Sequence, residues 1–401
     1  LGDRLKAMDP RSRNVAVSGK DRAAVMMGGR AVDERWYWDG KSWASDKPGA
    51  KPPLSVLGVR GFSNTWFESA QAPLEVPALC QARATPYAVT PAVTVGNGRF
   101  GRAAGDARAF RAMPQFDSLT LALAASLIRE QKLGQGPATD VISVGLSATD
   151  YIGHSFGWGG QEMCLQMLNL DHDLAGFLTI LDQEKVDYAL VLSADHGGQD
   201  AVERLRAQGN LKAVRADPGL AAGEVGKLLA PQLGQTGPVL LGDGVGGDVW
   251  IDRAIPARDR PRVLAAAVAR YRAHPQVETV FTAAELARTP LPKGDPSGWS
   301  LLQRVRAAFY PARSGDLYVV LKEHVSTVAR PGPGYVASHG TPWDYDRKVP
   351  IIFMAPGLKP ASPAAAADTV DILPTVASWI GLKLAPGSVD GVCRTEAATC
   401  R

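Results

Sequence analysis

Val141-Ile142-Ser143-Val144-Gly145-Leu146-Ser147-Ala148-Thr149-Asp150-Tyr151-Ile152-Gly153-His154 is the stretch that decides the fold. Val141 to Leu146 reads as a strand with an almost unbroken apolar run, the signature of a strand covered on both faces. Just beyond its carboxyl end stand Asp150 and His154. In open parallel sheets, ligand sites gather at that place. The same arrangement recurs in both directions along the chain. Tyr188 to Leu192 is another apolar strand, followed by Ser193-Ala194-Asp195-His196-Gly197-Gly198. Asn14 to Val17 is a short buried strand, followed by Ser18-Gly19-Lys20-Asp21-Arg22. Val349 to Met354 is one more, preceded by Ser338-His339-Gly340-Thr341. Between these strands, Ser118 to Lys132 has helical spacing, with Gly134 where a C-cap belongs. Gln161 to Leu181 is a long helix with Met163, Met167, Leu170, Leu174, Phe177 and Leu181 on one face. Strands alternating with helices predict an α/β fold whose central sheet is mostly parallel, with helices on both faces.

Residues 1–200 read as the first part of this core. Leu1 to Met8 looks like the tail of an amphipathic helix that begins upstream, and Asp9-Pro10 ends it. Trp36, Tyr37, Trp38 and Trp43 fall in a turn-rich segment around Asp39-Gly40. Residues 201–313, rich in Ala, Gly, Pro and Arg, break the pattern and predict a peripheral inserted subdomain, with a helix from Arg260 to Tyr271. Residues 314–401 then return to the core, with a strand at Asp316 to Leu321 and a helix at Asp368 to Ile380.

The composition of the 401 residues excludes several classes of function. Basic and acidic residues nearly balance, 44 against 40, and neither forms long runs. A nucleic-acid partner needs clustered positive charge, so none is expected. No apolar stretch approaches membrane-spanning length, so no membrane partner is expected. Of the four cysteines, Cys393 and Cys400 lie close together, where a disulfide pins the end of the chain; two free thiols are the alternative. A bridge there points to an oxidising compartment.

Asp150, His154 and His339 offer the carboxylate and imidazole donors that zinc takes in a tetrahedral set with one open position. Asp195 and His196 begin a second set that lacks at least one carboxylate. Two metals about 4 Å apart clamp the attacking and leaving oxygens of a phosphoryl group. Taken singly, an Asp-His pair after a strand also reads as a helix N-cap with an exposed imidazole. The joint pattern decides for metal, because it uses three of only six histidines and sets each in a predicted loop. His172, His274 and His324 read as ordinary structural or surface residues.

These segments resemble the alkaline phosphatase superfamily. Ser18 to Val25, Arg35 to Asp39 and Ser147 to Phe156 are similar to the bacterial periplasmic phosphatases of the PafA/PhoK type. The resemblance covers most of residues 10–200 and 314–385 and is poor across the middle. It implies hydrolysis of phosphate monoesters through a two-metal site and a covalent phospho-enzyme. Asp150, His154 and His339 would hold the zinc that activates the attacking water. Asp195 and His196 would hold the zinc that activates the nucleophile, and Lys20 and Arg22 would contact the non-bridging phosphoryl oxygens. It further implies two Zn2+, an additional structural Ca2+, small-molecule monoester substrates, a monomer, and a periplasmic or secreted location. The family's Thr or Ser nucleophile, its nearby Asn and one Asp ligand match no segment here and are expected upstream. Two other readings stand beside this one: a phosphodiesterase or nucleotide pyrophosphatase of the same superfamily, and an inactive metal-binding module.

Overall fold

The computed structural model describes residues 1–400. Its main sheet is built on β1 (Asn14–Ser18), which is buried at every position. β1 lies parallel to β2 (Glu34–Trp38), and β2 turns back into the short antiparallel β3 (Trp43–Ala44). On its other side β1 lies parallel to β4 (Val141–Gly145), giving the order β3-β2-β1-β4. Side chains of β1 alternate between two cores, as the pleat requires. Val15 and Val17 join Trp36, Trp38 and Trp43 in the larger core, whereas Ala16 packs with Ala24, Val32 and Tyr37 on the opposite face.

Helices cover both faces. α1 (Asp21–Gly28) packs on the Ala16 side. α2 (Gln115–Gln131) fills the other side with Phe116, Leu119, Leu123 and Leu127. α3 (Ala148–Phe156) leaves the end of β4, and α4 (Gln161–Gln183) packs against α2 and α3. The α/β architecture, with a mostly parallel main sheet, is the expected one.

Three details differ from expectation. The tryptophan-rich segment is an antiparallel hairpin rather than loose turns: Trp38 pairs with Trp43, and Trp43 is fully buried with its indole N–H donating to Ser63. β5 (Leu190–Ser193) and β6 (Ile351–Met354) pair antiparallel with each other and, among the described residues, do not ladder onto the main sheet. β4 likewise pairs only on its β1 side. Finally, Leu317–Leu321, expected to resume the main sheet, lies inside a second, antiparallel sheet between 247–251 and 277–282. Leu317, Val319 and Leu321 join the core beneath that sheet, with the helices 222–232 and 260–272. An apolar run records that a strand is buried, and says nothing about which sheet buries it.

Both cysteine pairs are closed. Cys393 bonds Cys400, as one of the two open alternatives had it. Cys80 bonds Cys164 across 84 residues, a pairing with no cue in the local sequence. It ties the short helix 78–81 to the first turn of α4. In the chain-entropy account a loop of that length contributes roughly 4.5 kcal/mol.

Candidate metal centre

β4 delivers α3 at its carboxyl end, and on α3 the four-residue spacing sets Asp150 and His154 on one face. The turn after β1 approaches this helix so closely that it needs a glycine. A Cβ at Gly19 would stand 2.5 Å from the Phe116 ring and 2.9 Å from Ser147 Cβ. Lys20, next along, reaches across to bond Asp150 Oδ2, and its ammonium lies 4.8 Å from the centre of the Tyr151 ring.

The other oxygen, Asp150 Oδ1, is the focus of the site. It faces Nε2 of His339 at 3.3 Å, of His154 at 3.4 Å and of His196 at 3.7 Å. It is buried and accepts no hydrogen bond. The donor atoms of Asp150, His154 and His339 lie within 4.8 Å of one another. The rings crowd together: His196 stacks on His339 at 3.4 Å, and His154 stands 4.9 Å from His339.

Two of the tautomers follow from hydrogen bonding. His154 Nδ1 lies 2.8 Å from the Ala337 carbonyl, and His196 Nδ1 lies 2.8 Å from the Gly197 carbonyl. A carbonyl only accepts, so each Nδ1 carries a proton, and each ring faces Asp150 with its Nε2, the atom left for a ligand. Burial lowers the pKa of His154, against the raising pull of Ala337 and Asp150, and so favours the neutral ring. Burial opposes ionisation of Asp150, but the imidazole of His339 and the ammonium of Lys20 outweigh it. They hold the carboxyl well below the usual carboxylate range. An ionised oxygen facing nitrogen lone pairs is repulsive unless a proton or a metal cation lies between them. The donor set therefore fits a divalent ion that takes nitrogen and oxygen ligands.

Asp195 and Arg22 are not drawn into this set. The Asp195 side chain is 84% exposed and meets His196 Nε2 at 3.3 Å. Arg22 is exposed on the first turn of α1. The three histidines set aside also stay outside: His172 is exposed on α4, His274 faces Asp217, and His324 stacks on Tyr345. A cavity of about 690 Å3 opens behind α3, lined by Arg108, Met113, Ser155 and Phe156, and includes none of the clustered donors.

Sequence reading missed two buried carboxylates that hold the ligand-bearing segments. Asp117 on α2 accepts from the backbone N–H of Ala148, the first residue of α3, and from the Gln166 amide on α4. Asp346 accepts from the N–H and hydroxyl of Thr341, two residues after His339, and its carbonyl accepts from Gly197 N–H. Neither lies in a recognisable motif. Asp346 is set seven residues beyond His339 and Asp117 precedes α3 by thirty-one, so no local pattern announces them.

The fold and the comparisons together place the chain among hydrolases of the phosphatase and phosphodiesterase superfamily. The model of the type I phosphodiesterase / nucleotide pyrophosphatase family matches residues 106–342. Alkaline phosphatase PhoK of Sphingomonas sp is 43% identical over 396 residues, 98% of this chain and 70% of that protein. Alkaline phosphatase PhoD of Zymomonas mobilis subsp. mobilis is 41% identical over 408 residues, 100% of this chain and 70% of that protein. The crystal structure of alkaline phosphatase PafA superposes with a TM-score of 0.84 at 23% identity, over 99% of this chain and 77% of that one, a likeness of fold. The chain belongs to the type I phosphodiesterase / nucleotide pyrophosphatase family, in company with the bacterial alkaline phosphatases.

Proposed function

We propose that the chain hydrolyses phosphate monoesters at a two-zinc site. Asp150, His154 and His339 hold one ion, Asp195 and His196 contribute to the second, and Lys20 and Arg22 bind the phosphoryl oxygens. The observation that carries this reading is the convergence of three imidazole Nε2 atoms on one buried, unpaired carboxylate oxygen. The names of the PhoK and PhoD relatives support the substrate class. Bound zinc supplies a Lewis acid and brings the pKa of a bound water toward neutrality. The chain's own part is to keep Asp150 ionised, to keep His154 neutral with Nε2 facing the site, and to bring one desolvated ammonium beside the phosphate position. A covalent route through a Thr or Ser hydroxyl belongs to the same proposal, on a segment outside the motifs identified above.

The name of the matching family favours a second reading, diester cleavage. A cationic pocket suits a monoester dianion, whereas a diester carries one charge and a second organic group. Turnover of 4-nitrophenyl phosphate is expected to exceed that of bis(4-nitrophenyl) phosphate and to stop when a chelator removes the metal. Faster diester cleavage would overturn the monoesterase reading. Lys20→Ala is expected to keep its metal and to weaken inhibition by inorganic phosphate on the order of 10–100-fold, the worth of one charge-assisted hydrogen bond. Unchanged phosphate inhibition would remove Lys20 from the pocket.

The proposed location is periplasmic or secreted. All four cysteines are disulfide-bonded, a usage that belongs to oxidising compartments. Among the described residues no helix is long and apolar enough to cross a membrane.

A further inference from the structure

We propose that Trp158 is a positioning residue for the imidazole cluster, one indole wedged among all three segments that bear its ligands. The inference rests on the metal-site reading given above.

Trp158 follows α3 in the sequence Gly157-Trp158-Gly159-Gly160. Gly157 ends the helix at a φ of 82°, a conformation that glycine adopts without strain. There the indole meets two further glycines at contact distance. A Cβ at Gly153, on α3 itself, would stand 2.4 Å from Cε2 and Cζ2 of Trp158. A Cβ at Gly198, two residues after His196, would stand 2.1 Å from Cε2. The indole thus lies against backbone on both segments, and any larger residue at either position would displace it.

The indole also contacts the cluster itself. The indole meets His154 edge-on at 5.9 Å and 72°, and His339 edge-on at 6.4 Å and 82°. Both arrangements are in the favourable range for aromatic pairs. It also packs against the small buried cluster of Val95, Ala201, Val336 and Ala337; the last two form the strip that precedes His339, and the Ala337 carbonyl meets His154 Nδ1. One rigid ring therefore touches α3, the His196 loop and the His339 loop. Packing of this kind locks the rotamers of ligating side chains, and loss of such support costs metal affinity about 10–100-fold. A ring that merely fills space would change stability and leave the geometry of the bound ion alone.

The test is the visible spectrum and the dissociation constant of the Co2+-loaded protein, with thermal melting as a check of folding. Trp158→Leu is expected to shift the Co2+ bands and weaken binding about 10–100-fold. Trp158→Phe, which keeps a smaller ring, changes both in the same direction by less, and it decides the matter if the Leu variant fails to fold. Wild-type bands and affinity in the folded variants overturn the inference, however far the melting temperature falls. A wild-type protein that takes up no Co2+ defeats the metal-site reading first, and the role of Trp158 with it.

Discussion

Asp150→Asn is expected to empty the metal centre and lower kcat/KM by about 10^3-fold or more. Lewis-acid stabilisation of a phosphoryl transition state is worth several kcal/mol, and each 1.36 kcal/mol is about tenfold in rate. No other residue sits so centrally. Asp150 Oδ1 faces three imidazoles, and Oδ2 holds the Lys20 ammonium. An amide keeps the shape and loses the charge, so the site no longer compensates a divalent ion or Lys20. Elemental analysis and turnover of 4-nitrophenyl phosphate measure the two effects, with circular dichroism reporting the fold. A variant that keeps its full metal content and stays within tenfold of wild-type turnover would remove Asp150 from the centre.

Asp150 and His154 were legible as candidates because their cues are local, whereas the convergence of three imidazoles on Asp150 was not. An apolar strand sets the residues just past its carboxyl end at a predictable place, although the segment that carries Asp150 and His154 is a helix and not the expected loop. The strands ending near Ser18 and Ser193 were legible in the same way. Their partners were not. β5 and β6 pair antiparallel, and 317–321 belongs to the second sheet, because periodicity encodes burial of a strand and leaves its neighbours open. Asp195 shows the same limit at the level of a side chain. Its sequence neighbour His196 turns inward to stack on His339, while Asp195 itself is largely exposed. The two side chains still meet, with Asp195 Oδ2 3.3 Å from His196 Nε2, so a dipeptide motif names candidates without fixing how deeply each is set. The supports were the least legible. Trp158, Asp117 and Asp346 act through contacts made only once distant segments have packed.

Asp117 supplies the second large effect. Its carboxyl is fully buried, and burial pushes it up to about 6 from an ordinary 3.8, against the lowering pull of Ala148 N–H and the Gln166 amide. Between those two values the folded chain holds a proton that the unfolded chain has lost. This group's contribution to stability is therefore full below about pH 3.8, falls as pH rises through about 6, and is then level. The drop is about 3 kcal/mol for a shift of roughly two units. Asp117→Asn cannot ionise, so its stability relative to wild type should rise by about 3 kcal/mol between pH 4 and pH 7. The geometry permits the exchange. Asn Oδ1 still accepts from Ala148 N–H, and Gln166, whose Oε1 is buried without a partner, can turn its amide to accept from the new NH2. Asp117→Ala offers no acceptor and strands the Ala148 N–H, at about 1–3 kcal/mol, while the Gln166 amide keeps only its bond to Thr149. Urea melts of both variants and wild type across that range read the difference directly, and parallel wild-type and Asn curves would refute it. The ionised form has a compensating use at neutral pH. A full negative charge at the N-terminus of α3 binds the Ala148 N–H more firmly than an amide does, and favours the helix dipole. It thereby fixes the first turn of the helix that aims Asp150 and His154, so the Asn variant should gain stability relative to wild type as pH rises and bind its metal less tightly.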